Sequence, residues 1–275
     1  MIPAAFDYVR ADSAEHAIAL LGEHGDEAKL LAGGHSLLPL MKLRLATPAV
    51  LIDVGRLTEL SYVRDAGDHI EVGALTRHAD LEGSELLGAE VPLLRHVAGQ
   101  VGDPQVRHRG TIGGSVAHGD PASDLPAALI ALRAMLVAQG PSGTRDIAVD
   151  DFFSGFLETA LAADEVLTEI RVPKTGAAGW SFQKFNRRAQ DWAIVGVACV
   201  NNGTTGIGLV NMAPVPLRAA AAEAAVASGS GAATAAAVAD EGTDPSADLN
   251  ASSEFRRHLA RVLVRRALTE AGVTG

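Results

Sequence analysis

The sequence predicts an α+β chain in three consecutive blocks, on three observations. Helical and strand patterns alternate over residues 1–54, return mixed over 55–172, and resolve into a hairpin followed by helices over 173–275. The 275 residues suffice for one large or two modest domains with a sizeable core.

The first block opens with Asp12 as a helix N-cap and Glu15 three residues on, close to a capping box. Ala14, Ala17, Ile18 and Leu21 follow at i, i+3, i+4 and i+7, which predicts an amphipathic helix ending near Gly22 or Gly25. Lys29–Ala32 reads as a buried strand, residues 37–45 as a helix, and Ala49–Val54 as a second strand. In the second block, Ile70–Ala74 reads as a strand and Thr76 as the cap of a helix through Leu81. Leu93, Leu94, Val97, Ala98 and Val101 mark one face of a helix closed by Gly102. Leu125–Val137 is apolar enough for a buried helix, and Asp164–Val172 reads as a strand ended by Pro173.

In the third block, Ser181–Arg187 and Ala193–Val200 read as strands. Asn202-Gly203 between Val195–Val200 and Gly206–Met212 predicts a β-hairpin turn, the reading preferred to a glycosylation sequon. Residues 219–239 read as a small-residue helix broken at 228–231. Glu254–Ala271 reads as an amphipathic helix whose Arg256, Arg257, Arg261, Arg265 and Arg266 form a solvated face.

Composition narrows the function. The formal charge of −10 and an aromatic content of 4% argue against a nucleic-acid binder. A single cysteine, Cys199, excludes an intrachain disulfide and any cysteine-ligated cluster or thiolate zinc site built from this chain alone. It lies in an apolar strand and reads as inert core. The nine histidines show no paired-ligand spacing, so no metal site is expected. No run of 18 apolar residues and no signal-peptide pattern occurs, so the expectation is a cytoplasmic protein.

Two segments depart from packing logic: Ala32-Gly33-Gly34-His35-Ser36 and Thr111-Ile112-Gly113-Gly114-Ser115. Each sets a glycine pair beside a hydroxyl residue. Glycine admits positive φ and close approach of a ligand, and unpaired amides at a helix start attract phosphate oxygens. Neither G-x-G-x-x-G nor a Walker A loop is present. The two clusters together point to a large, two-ended ligand. Asp124 can either cap the following helix or accept hydrogen bonds from ligand hydroxyls. No nucleophile or acid–base pair stands out, as expected where a cofactor carries the chemistry.

KLLAGGHSLLPLMKLRL (29–45), GDPQVRHRGTIGGSVAHGDPASDLP (102–126), QKFNRRAQDWAIVGVA (183–198) and the terminal FRRHLARVLVRRAL (255–268) resemble the FAD-binding medium subunits of the molybdenum hydroxylases, nearest to those of aerobic carbon monoxide dehydrogenases. The resemblance covers nearly the whole chain in order. It implies a two-subdomain FAD-binding domain of the PCMH type (1–54 and 55–172), followed by a C-terminal domain with a three-stranded sheet and helices (173–275). It also implies two partners: a large subunit with a molybdenum–pterin cofactor and a small subunit with two [2Fe–2S] clusters, the whole a dimer of heterotrimers. An external acceptor such as a quinone would bring the complex to the inner face of the membrane.

By position, the resemblance implies that Ala32, Gly33, Gly34, His35 and Ser36 wrap the FAD pyrophosphate together with Thr111, Gly113, Gly114 and Ser115. Asp124 would bind along the FAD chain. Lys184, in the Lys-x-x-x-Arg pattern with Arg188, would lie near the isoalloxazine and favour its anionic reduced form. Gln190-Asp191-Trp192 would border the ring. Trp192 stands where the family often has Tyr, a departure that bears on stacking; His108 stands where Asn is common and Gly119 where Ala is common, and neither of these two changes removes a glycine or a phosphate donor. Some relatives carry an extra [4Fe–4S] cluster in a cysteine-bearing insertion, which this chain lacks. The competing expectations are a self-sufficient FAD oxidoreductase and a non-catalytic assembly protein with a degenerate nucleotide site.

Overall fold

The computed structural model describes residues 2–274. Strand β1 (Asp7–Arg10), helix α1 (Ala14–His24), strand β2 (Ala28–Leu31), helix α2 (Leu37–Lys42) and strand β3 (Val50–Asp53) build a small parallel sheet in the order β1-β3-β2. Ile52 sits opposite both Val9 and Leu30. The apolar face of α1, with Ala17, Ile18 and Leu21, closes a core on Val50 and Ile52. The N-cap is Ser13, one residue later than predicted, and its hydroxyl accepts from the His16 amide at 3.1 Å. Gly25 ends α1 at φ +53. Strand β1, short and largely exposed, carries no alternation that the sequence makes visible.

The second sheet is antiparallel in the order β4-β5-β10-β6-β7. Its members are β4 (Val63–Asp65), β5 (His69–Gly73), β6 (Met135–Gly140), β7 (Gly143–Ala148) and β10 (Val166–Pro173), with a two-stranded ribbon of β8 (Phe153–Gly155) and β9 (Glu158–Thr159) beside it. The helices α3 (His78–Gly83), α4 (Glu85–Glu90), α5 (Pro92–Gly99), α6 (Pro104–Arg109), α7 (Ile112–His118) and α8 (Asp124–Ala131) run between β5 and β6. All but α6, which buries no residue, share the core of Ile70, Val72, Leu94, Val97, Leu129 and Ile170 with this sheet.

Three expectations need correction here. Thr76 does not cap α3, which starts at His78. Its buried side chain instead exchanges hydrogen bonds with the main chain of Tyr62, tying β5 to the segment before β4. Helix α5 ends at Gly99, so Gly102 (φ +48) lies beyond it, ahead of α6. The apolar run Leu125–Val137 is not one helix. It stops at Ala131, Arg133 takes φ +55, and Met135 begins strand β6. A fully buried apolar run has no periodicity to separate helix from central strand, and β6 lies between β10 and β7.

The third sheet is antiparallel: β11 (Gly179–Phe185), β12 (Val195–Asn201), β13 (Thr205–Val210) and a two-residue β14 (Leu217–Arg218). The three long strands are those expected, with β14 as a short edge. The predicted hairpin is present, with Asn201 paired to Thr205 and Gly203 at φ +72 in the turn. Helices α9 (Ala220–Ala227), α10 (Ala232–Ala237) and α11 (Ser253–Glu270) cover one face, meeting Val197, Cys199, Ile207 and Leu209.

The solvated arginine face of α11 holds for Arg265 and Arg266 but not for Arg256, which is only 1% exposed. Arg256 pairs with Asp248 at 2.8 Å and donates to the Ile194 carbonyl. On its other face the third sheet meets α8. The Arg218 guanidinium donates to the Ile130 carbonyl at 2.5 Å, the Asn211 amide to the Pro121 carbonyl at 2.8 Å, and Ala127 packs with Ala193 and Val210. Helix α8 is thereby shared between the second and third sheets, which sets the distance between Asp124 at its start and Lys184 on β11.

Candidate functional site

A cavity of about 700 Å³ opens where the three sheets converge, within the roughly 300–1,000 Å³ typical of small-molecule sites. Ala32, Gly33, Gly34, His35, Ser36, Thr111, Gly113, Gly114, Ser115, Asp124 and Lys184 all line it, and so do Gln190, Asp191 and Trp192. Leu30, Leu40, Val54, Val101, Leu161 and Leu167 supply apolar wall.

The first glycine bend joins β2 to α2. Gly34 holds φ +78, a region that disfavours any residue with a Cβ. The bend lies against the approach to the second one: a Cβ at Gly33 would come within 2.2 Å of the Arg109 carbonyl oxygen. The main-chain amides of Gly33, Gly34, His35 and Ser36 find no hydrogen-bond partner among the described residues, although the Gly34 and Ser36 carbonyls are engaged by α2. Four free donors on a turn of bare backbone form a concavity suited to anionic oxygens.

The second bend works differently. From Ile112 onward its amides are already paired: Ile112 to the Thr76 carbonyl at 3.0 Å, Gly113 to the Ala74 carbonyl at 2.8 Å, Gly114 to the Thr111 hydroxyl at 3.2 Å and Ser115 to the Thr111 carbonyl at 3.1 Å. Gly113 is needed because the start of α7 lies directly on the end of β5; a Cβ there would sit 2.5 Å from that of Ala74. The segment therefore brings close-lying backbone and the Thr111 and Ser115 hydroxyls to the cavity wall, and its amides from Ile112 to Ser115 are spent on the fold.

Asp124 and Lys184 meet across the cavity edge. Lys184 Nζ lies 2.6 Å from Asp124 Oδ2 and 3.0 Å from the Gln100 carbonyl, with the two side chains 9% and 7% exposed. Of the two sequence readings of Asp124, capping fails: Asp124 is the first residue of α8, follows the N-cap Ser123, and directs its carboxylate to Lys184. Its Oδ1 is buried without any partner. Burial pushes the Asp124 carboxyl up to about 6, against the opposing pull of Lys184. The pair is thus an ionised couple at neutral pH with one unsatisfied acceptor.

Arg188 does not join Lys184 in the wall. It pairs with Asp191 on the surface, at 3.0 Å. Trp192 lines the mouth and is 61% exposed. Sequence reasoning missed His78, whose buried ring also lines the cavity, and the Gln100 carbonyl that steadies Lys184. The Gln100 carbonyl is defined only by its contact with a distant segment, whereas His78 stands three residues before Leu81 on the buried side of α3, a polar residue at an apolar position.

Four free backbone donors, a buried carboxylate acceptor, an adjacent ammonium and a long, partly apolar cleft fit a dinucleotide with a diphosphate and a polyhydroxyl chain. Among the described residues no three His, Cys, Asp or Glu side chains gather at metal-binding distance. No described helix is long and apolar enough to cross a membrane.

Comparison with known proteins agrees with this chemistry. Residues 4–175 match the family described as the FAD binding domain in molybdopterin dehydrogenase, and residues 180–271 match the CO dehydrogenase flavoprotein C-terminal domain. The chain is 42% identical to the carbon monoxide dehydrogenase medium chain of Hydrogenophaga pseudoflava, covering 98% of both. It is 36% identical to the 6-hydroxypseudooxynicotine dehydrogenase complex subunit alpha of Paenarthrobacter nicotinovorans, covering 98% of this chain and 96% of that one. Among solved structures, a carbon monoxide dehydrogenase from Hydrogenophaga pseudoflava superposes with a TM-score of 0.94 at 45% identity, over 98% of each chain. The chain therefore belongs to the FAD-binding medium subunits of carbon monoxide dehydrogenase-like molybdenum hydroxylases, and is an FAD-dependent oxidoreductase subunit.

Proposed function

We propose that this chain holds FAD in the cavity between its three sheets and passes electrons from the [2Fe–2S] clusters of a small subunit to an external acceptor such as a quinone. Substrate oxidation then belongs to a large molybdenum–pterin subunit, in a dimer of heterotrimers. The carrying observation is the set of four unpaired amides at Gly33, Gly34, His35 and Ser36, opposite a buried Lys184–Asp124 pair in one cleft.

In this reading Ala32–Ser36 bind the diphosphate. Thr111 and Ser115 add hydroxyls, while Gly113 and Gly114 keep the facing backbone close. The free Asp124 Oδ1 accepts from a ligand hydroxyl, which satisfies an atom that is otherwise costly to bury. Lys184 gives two of its three donors to Asp124 and Gln100, so the positive charge beside the ring is fixed in place and largely balanced by its own counter-ion. When bound, FAD supplies the two-electron chemistry that no side chain of this cleft offers. Residues 1–54 and 55–172 act as the two parts of the FAD-binding domain, and 173–275 closes the cleft through Lys184. Relatives named for carbon monoxide and for a nicotine-derived compound share this architecture, so the substrate class is set outside this chain.

Gly34→Val tests the loop. A β-branched residue at φ +78 is strained, and its Cβ would lie 2.8 Å from the Leu38 side chain. The purified variant should keep its circular dichroism spectrum and lose the yellow flavin absorbance. Full flavin occupancy in a folded variant would refute the assignment. Failure of wild-type apo-protein to bind FAD in a direct titration would favour the assembly-protein reading.

A further inference from the structure

Besides Asp124, one more polar side chain in the cavity wall is buried and only half-satisfied. His78, the first residue of α3, is only 2% exposed. Its position is fixed from two sides. Its own amide donates to the Gly110 carbonyl at 3.0 Å, and the ring edge lies so close to Gly110 that a Cβ there would fall 2.7 Å from Cδ2. Ring Nε2 lies 3.2 Å from the Ser115 hydroxyl, while Nδ1 is buried with no partner. Burial, with His35 and Arg107 nearby, pushes the imidazole down to about 4, so the ring is neutral at physiological pH.

A neutral imidazole carries one N–H, and the two placements have different consequences for Ser115. With the proton on Nδ1, a donor would be buried with nothing to receive it, and Nε2 would take the Ser115 proton, leaving only oxygen lone pairs toward an anion. With the proton on Nε2, the unsatisfied buried atom is an acceptor, which structures tolerate better than an orphaned N–H. Nε2–H then donates to Ser115 Oγ, and the serine proton is free to turn into the cavity. We propose that His78 is a positioning residue for the bound diphosphate, its Nε2–H holding Ser115 so that the serine hydroxyl donates to a phosphate oxygen. This rests on reading the cavity as the FAD site. The second bend, whose amides from Ile112 to Ser115 are spent on the fold, gains in this way a directed donor at Ser115.

The test uses the purified full-length chain, stripped of flavin and titrated with FAD, with its melting temperature recorded alongside. Ser115→Ala and His78→Leu should each weaken FAD binding ~10-fold, the effect of losing one hydrogen bond to a charged group. The double variant should be no weaker than Ser115→Ala alone. His78→Gln, whose amide NH₂ can reach the place of Nε2, should bind within about threefold of wild type. In ¹⁵N-labelled wild-type chain, the His78 ring, assigned by its disappearance in His78→Gln, should show Nε2 protonated and Nδ1 bare.

A protonated Nδ1, unchanged affinity in His78→Leu, or independent additive losses in the double variant would each overturn the proposal. Failure of the wild-type chain to bind FAD would refute the cavity reading instead. If His78→Leu does not fold, the tautomer measurement on wild type decides.

Discussion

Replacing Lys184 with Met tests how the third sheet is held to the cavity. The substitution keeps most of the aliphatic stem and removes the ammonium, leaving Asp124 buried at 6% exposure with neither oxygen paired to a cation. The wild-type carboxyl, at about 6, already stands above its ordinary 3.8 because burial outweighs the attraction of Lys184. Holding it ionised at neutral pH therefore costs about 3 kcal/mol. Because the folded value lies above the unfolded one, the native state takes up a proton more readily. Protonation therefore stabilises the protein at low pH, and that benefit is lost as pH rises through about 6.

Without Lys184 the folded value climbs further, since only the opposing pull has been removed. At pH 8 the variant must either ionise an unpaired buried carboxylate or hold a proton against the solvent. Breaking such a pair costs roughly 3 kcal/mol or more. At about 2–4 °C per kcal/mol for a chain of this size, the melting temperature of the apo-protein should fall by ~6–12 °C at pH 8. At pH 5 Asp124 is protonated in both proteins, and the deficit should shrink to less than half. Adding Asp124→Asn should recover most of the loss at pH 8. Thermal unfolding at the two pH values is the assay. An equal deficit at pH 5 and pH 8 would show that the ionised pair does not govern the junction.

Three further outcomes are expected. Arg256→Met strands the Ile194 carbonyl and unpairs Asp248 at the base of the 190–192 segment, so it should destabilise the chain by ~3 kcal/mol in chemical denaturation, far beyond a surface arginine. Arg265→Met on the exposed side of the same helix should change stability by less than ~0.5 kcal/mol. The Cys199 thiol, buried in β12 and pushed up to about 12 mainly by burial, should stay unmodified by a thiol reagent at pH 8 until the chain is unfolded. Stoichiometric labelling of the native protein would contradict the packing of that strand.

What the sequence makes legible, and what it hides, divides along a physical line. Gly34 and the Asn202-Gly203 hairpin are readable because a positive φ is a local demand that glycine alone meets cheaply. Gly33 and Gly113 are readable although their close neighbours, Arg109 and Ala74, are distant, because a close backbone approach selects the residue type itself. Features that ordinary side chains make with partners far along the chain are not. Nothing in residues 125–137 says that the second half of the run is a strand, because the pairing that makes it one comes from Val166–Arg171. Nothing near Asp124 names Lys184, 60 residues on, as the group that takes its carboxylate away from capping. Asp12 and Ser13 compete as caps, and only the geometry of the turn chooses the serine.

Arg256 is a different kind of miss. It lies three residues before Leu259, seven before Leu263 and eleven before Ala267, all on the buried face of α11, so the 3.6-residue period places it inside. The expectation that arginine is solvated overrode a pattern that was correct. The same rule applies in the cavity. His78, Asp124 and Lys184 are polar groups buried among apolar ones, at positions where packing alone would favour an aliphatic side chain. Each leaves an atom or a proton that the fold does not use: Nδ1 of His78, Oδ1 of Asp124 and one N–H of Lys184. The cost of burying them is recovered if a bound group supplies the missing partners at Asp124 and Lys184 and exploits the hydroxyl that His78 directs. For this chain, polar residues standing on an apolar period mark the site as surely as the glycines do.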